Sequence, residues 1–201
     1  MGKINVIFLD IDGVMNSHIF YHDRYKKRWL RLKTYKWFLV AKFNYIINGF
    51  KHKSISLADY KINPKYYEFS HTFKRLQEET VGLKWGWLSD FCNENDYKIC
   101  ISSVWKNHFK ETSEWGRALV KLGFNEDIFV GITGERRTLR GTEIQEWVDS
   151  HDVEKYAILD DDSDMTQEQL STCYFQVDPY FGLTPNHLYR IGNYFKQGRD
   201  E

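Results

Sequence analysis

Apolar positions along this chain fall into a few short continuous runs, separated by longer stretches at helical spacing. Ile4–Asp10 (INVIFLD) is a β-branched, apolar run, the pattern of a strand buried on both faces. Tyr97–Ser102, Tyr156–Asp160 and Cys173–Val177 read the same way. Helical patterns lie between them. Ser70 is placed to cap HTFKRLQEET, and LKWGWLSDFCNEN repeats its apolar residues at helical spacing. SEWGRALVKLGF stops at Gly123, a residue suited to the position just past a helix end. TEIQEWVDSH is amphipathic, and the last pattern opens with Thr184 as N-cap and Pro185 at the first helical position.

Buried strands that alternate with helices predict an α/β fold, a parallel sheet flanked by helices. Ligands of such sheets sit beyond the carboxyl ends of the strands. Three of the four strands end there in unusual polar residues: Asp10 and Asp12, Ser102 and Ser103, and Asp160 to Asp162. Right-handed crossovers would bring these ends to one edge of the sheet.

The stretch from His18 to about Thr80 breaks the alternation. A mainly helical cap insertion is expected over 18–80, with the core in 1–17 and 81–201. The 201 residues carry 28 Lys and Arg against 28 Asp and Glu, so the formal net charge is zero. That average conceals a division. His18–Tyr67 holds 12 Lys and Arg against 2 Asp and Glu, a charge of +10 that the remainder balances. Aromatic rings are interleaved with these cations, as in HDRYKKRWLRLKTYKW. Charge plus rings suits phosphate contact with base stacking, as in nucleotide or single-stranded nucleic-acid binding. Lys26, Lys27 and Arg28 are the first candidates. A packed helix with a solvated basic face gives the same pattern. The apolar run WFLVAKFNYII is about half the length of a spanning helix and contains Lys42 and Asn44, so no transmembrane segment is expected. Cys92, Cys100 and Cys173 lack metal-site spacing and read as buried free thiols in a reducing, cytoplasmic setting.

Carboxylates that converge at one edge repel one another, and a hard divalent cation relieves this. Mg²⁺ takes a few carboxylate oxygens while keeping waters and a substrate phosphate. In sequence, FLDIDGVMNS resembles the first motif of the haloacid dehalogenase (HAD) superfamily of phosphatases, ICISS its second and AILDDDSD its fourth. RGTEI and VDPYFGLT resemble stretches of phage and bacterial HAD proteins grouped with RNA-repair phosphatase domains. The resemblance implies a Rossmann-like HAD core with a cap after the first strand. It makes Asp10 the nucleophile and Asp12 the general acid and base, with the Asp12 backbone carbonyl offered to the metal. Ser102, ahead of Ser103, would donate to a phosphoryl oxygen, and Gly13 would let the backbone turn beside the phosphate. Asp10, Asp12, Asp160 and Asp161 would surround Mg²⁺.

The superfamily's third motif is a Lys or Arg, and phosphoryl transfer needs such a cation. Arg140 is favoured over Arg136, Arg137 and Lys121. The expected function is a Mg²⁺-dependent phosphomonoester hydrolase working on a nucleotide or a nucleic-acid phosphate end. The alternative is a non-catalytic HAD-fold protein that sequesters a phosphorylated ligand, although a pure binder needs no nucleophile.

Overall fold

The computed structural model describes residues 2–18, 64–109, 111–134 and 139–197, with side chains from 69 onward in the second stretch. Five strands form one parallel sheet in the order β3-β2-β1-β4-β5. They are β1 (Ile4–Leu9), β2 (Lys98–Ile101), β3 (Phe129–Ile132), β4 (Val153–Asp160) and β5 (Tyr174–Gln176). The helices are α1 (Pro64–Glu79), α2 (Gly82–Asn95), α3 (Thr112–Lys121), α4 (Arg140–Asp149), α5 (Gln167–Thr172) and α6 (Pro185–Lys196). A single 3-10 turn, Val104–Asn107, follows β2.

The continuous apolar strands are explained by burial on both sides. Successive residues of a strand point to opposite faces. Ile7 and Leu9 join a core with Trp85 and Leu88 of α2, Trp115 of α3 and Ile191 and Phe195 of α6. Val6 and Phe8 join the other core, with Ile144 and Trp147 of α4. All-parallel sheets need this double cover, because every strand face is apolar. The three cysteines are free and buried.

Two sequence expectations change. β3 has no signature in the sequence pattern: it is four residues long, only partly buried and interrupted by Gly131, so it shows no apolar run. α1 begins at Pro64, and Ser70 lies inside it rather than capping it. Its apolar stripe, Phe69, Phe73 and Leu76, starts before Ser70 and enters the main core. Gly123 stands just past α3, and Thr184 and Pro185 open α6, as the sequence pattern predicts. Of the mainly helical insertion expected over 18–80, residues 19–63, with Lys26, Lys27 and Arg28, lie outside the described residues. So do Arg136 and Arg137. Among the described residues no helix is long and apolar enough to cross a membrane.

Candidate active site

The sheet order places β1 between β2 and β4, so three carboxyl ends meet side by side. Asp10 extends the ladder by one residue, its N–H donating to Leu159 O at 3.1 Å. Ser102 does the same on the other side, donating to Leu9 O at 3.1 Å. Asp160 ends β4, and its carbonyl accepts from Val177 N at 2.9 Å. The strand-end residues are therefore fixed by sheet hydrogen bonds and are not carried on loose loops.

Asp10, Asp160 and Asp161 each offer an oxygen, and these oxygens all lie within 4.8 Å of one another. Asp10 and Asp160 are almost wholly buried. Burial holds the Asp10 carboxyl well above its ordinary value, at about 6, against the opposing pull of Arg140 and the Ser103 hydroxyl. Asp160 is pushed to about 7, again first by burial and then by the charge of Asp10. Asp161 is raised by burial as well. The group is thus short of positive charge, and its donors are hard oxygens. Both features fit a divalent cation such as Mg²⁺, for which Asp10, Asp160 and Asp161 would supply the side-chain ligands. The Asp12 carboxylate is not part of this group.

One cation is already present. Arg140, the first residue of α4, is buried and places Nη1 3.2 Å from Asp10 Oδ1. It also pairs with Asp160, and its Nε lies 3.7 Å from Asp164. The neighbouring residues explain why α4 starts where it does. Gly141 donates to Asp164 O at 3.1 Å, and a Cβ there would sit 2.3 Å from Gln169 Oε1 and 2.7 Å from Thr166 N. Only glycine lets the helix start come this close to the acidic loop and to α5. Glu143 turns the other way, to the buried ammonium of Lys106 at 2.8 Å. Lys121 has a different position, its ammonium 4.9 Å from the Phe69 ring centroid.

The loop after β1 is equally constrained. Gly13 has φ of +70°, and a Cβ there would fall 2.3 Å from the Asp161 carboxyl carbon. An L side chain would meet both a strained backbone and a blocked site. Lys84 donates to the carbonyls of Val14 and Asn16, each at 3.2 Å, and burial pulls its ammonium down to about 8. Ser103 is fully buried. Its hydroxyl accepts from Trp105 N at 3.4 Å and favours the charged form of Asp10. Ser102 Oγ is buried without a hydrogen-bond partner among the described residues.

The sequence reading did not single out Asn16, Trp105, Lys84, Lys106 or Glu143. Asn16 was visible within FLDIDGVMNS, four residues after Asp12. No spacing rule ties Trp105 to a loop 93 positions away.

Comparison with known proteins bears directly on this geometry. No curated protein and no solved structure matches the sequence. A family model described as the HAD domain in Swiss Army Knife RNA repair proteins matches residues 68–188, more than half of the chain. The match starts after β1, yet the sheet sets Asp10 beside the matched residues Ser103, Arg140, Asp160 and Asp161. On the extent of that match, the chain belongs to the HAD domain family of Swiss Army Knife RNA repair proteins.

Proposed function

We propose that this protein is a Mg²⁺-dependent phosphatase that removes a terminal phosphate from a nucleotide or an RNA end through an aspartyl-phosphate on Asp10. The observation that supports this best is Asp10 itself. It is a buried carboxylate at the end of the central strand, paired with Arg140 at 3.2 Å and grouped with Asp160 and Asp161. A purely structural role would not require three carboxylates, two of them buried, to be gathered at one edge.

The steps assigned to the chain are these. An Asp10 carboxylate oxygen attacks phosphorus, and the bond to the ester oxygen breaks with its electron pair. Asp12 gives its proton to that departing oxygen, so an alcohol leaves. Water then attacks the phosphoryl group and passes a proton to Asp12. Inorganic phosphate departs, and the Asp10 carboxylate is restored. Arg140 offsets the negative charge that the phosphate brings to the nucleophile. Ser102, whose hydroxyl has no other described partner, donates to a phosphoryl oxygen. Bound Mg²⁺ would supply further positive charge to the phosphate oxygens. The family's place in RNA repair favours a polynucleotide end over a metabolite. The basic run with Lys26, Lys27 and Arg28 would then contact phosphates beyond the one transferred.

The test is phosphate release from 3′- and 5′-phosphorylated oligoribonucleotides and from mononucleotides, each with Mg²⁺ and with chelator. The proposal expects release from at least one phosphorylated substrate, lost on chelation. Full release in chelator would remove the metal from the mechanism.

A further inference from the structure

Asp12 poses a problem of geometry. A general acid must face one oxygen of the substrate, yet Asp12 is an exposed side chain outside the carboxylate group. An exposed carboxylate ordinarily samples several rotamers, and fixing it costs conformational entropy. Here each of its oxygens is held. Asn16 Nδ2 donates to Oδ1 at 2.8 Å, and Trp105 Nε1 donates to Oδ2 at 3.1 Å.

Neither donor is free to follow the carboxylate. Asn16 is buried, and its Oδ1 accepts from Gly13 N at 2.6 Å, which also fixes which end of the amide faces Asp12. Its backbone closes a turn, donating to Ile11 O at 3.3 Å, and its carbonyl takes the Lys84 ammonium. Trp105 is 2% exposed. His108 stacks on its indole at 4.7 Å, and the Arg75 guanidinium lies 5.3 Å from its centroid. The 3-10 turn that carries it is anchored in turn by Lys106, bonded to Thr133 at 3.0 Å and to Glu143 at 2.8 Å. An indole N–H has one direction and no accepting capacity, so a gripped ring fixes the line along which it donates.

We propose that Trp105 and Asn16 are positioning residues that hold the Asp12 carboxyl toward the leaving oxygen, one from the turn after β2 and one from the loop after β1. The proposal rests on the phosphatase reading above. Neither residue touches the phosphoryl group, and both act through Asp12. Their effect therefore depends on how much the leaving group needs a proton. A ribose oxygen leaves poorly as an anion and needs the acid, whereas nitrophenolate leaves readily without one. A misdirected acid harms the first reaction far more than the second.

The experiment compares Trp105→Phe and Asn16→Ala with the wild type on two esters, a phosphorylated oligoribonucleotide and 4-nitrophenyl phosphate, with Mg²⁺. Trp105→Phe keeps an aromatic ring in the stack and loses the donor, with some loss of buried ring volume. Asn16→Ala removes the other donor without touching the aromatic cluster, so it carries the test if the first variant fails to fold. Expected is a fall in kcat of about tenfold or more on the oligonucleotide and less than about threefold on 4-nitrophenyl phosphate, with KM little changed. Equal losses on both esters, or no loss on either, in a folded variant overturn the positioning role while leaving the phosphatase reading intact. A wild-type protein that hydrolyses neither ester overturns both.

Discussion

At the scale of single residues, the site shows how burial and charge are balanced. Asp10 and Asp160 are held above the ordinary carboxylate value, at about 6 and about 7, because the strand ends bury them together. The folded protein therefore binds more protons than the unfolded chain between about pH 4 and pH 7. By linkage, these two groups make stability fall as pH rises through that window, and they contribute nothing further above it. The sign is opposite to that of an ordinary salt-bridged aspartate. In chelator, Asp160→Asn should remove part of this fall, so its unfolding free energy should depend less negatively on pH between 5 and 7.5 than the wild type's. Denaturant unfolding at several pH values measures it, and identical slopes would mean that Asp160 is already ionised at pH 5. The individual residues were unequally legible. Asp10, Asp12, Asp160 and Asp161 stand at ends of strands, where a carboxylate contradicts the apolar run before it. Arg140 is the favoured one of four candidate cations in the sequence, and only the fold brings its guanidinium to Asp10. Asn16 and Trp105 were silent, because an amide after a turn and an indole after a strand have many ordinary structural roles.

At the scale of elements, the parallel sheet was legible because each central strand is buried on both faces. β3 escaped because an edge strand of four residues with a glycine has no such signature. α1 begins earlier than the capping signal of Ser70 suggests, because the stripe of Phe69, Phe73 and Leu76 overrides that signal. Lys106 and Glu143 could not be paired from the sequence, since 37 positions separate them. They join the 3-10 turn to α4, and thereby join the element bearing Trp105 to the one bearing Arg140. Both side chains are 3% exposed, so the pair is desolvated and its removal is asymmetric. Lys106→Met alone leaves Glu143 charged and buried, and should cost about 3–5 kcal/mol. Adding Glu143→Leu should recover much of that loss. Denaturant midpoints for the two variants check this, and a double variant less stable than the single one would contradict it.

At the scale of the whole molecule, charge is segregated. The acidic edge of the sheet gathers the carboxylates, while His18–Tyr67 carries +10. In a protein working on RNA ends, the basic stretch would contact phosphates along the strand and the acidic edge would act on one of them. Each phosphate contacted on a single strand adds roughly −0.7 to the slope of log affinity against log salt. Oligonucleotide binding by an Asp10→Asn protein should therefore weaken steeply with salt, and replacing Lys26, Lys27 and Arg28 by Ala should flatten the slope. An unchanged slope would mean that this run makes no phosphate contacts.

Covalent catalysis at Asp10 underlies every step proposed for the site, and the rate of the Asp10→Asn protein probes it. Asparagine keeps the shape of the side chain and removes the nucleophilic oxygen charge. Phosphate release from the best phosphorylated substrate would be measured at saturating Mg²⁺, beside a circular dichroism spectrum that confirms the fold. The expected result is a folded protein with no measurable turnover. A folded Asp10→Asn protein retaining more than about a tenth of the wild-type rate would contradict the aspartyl-phosphate mechanism.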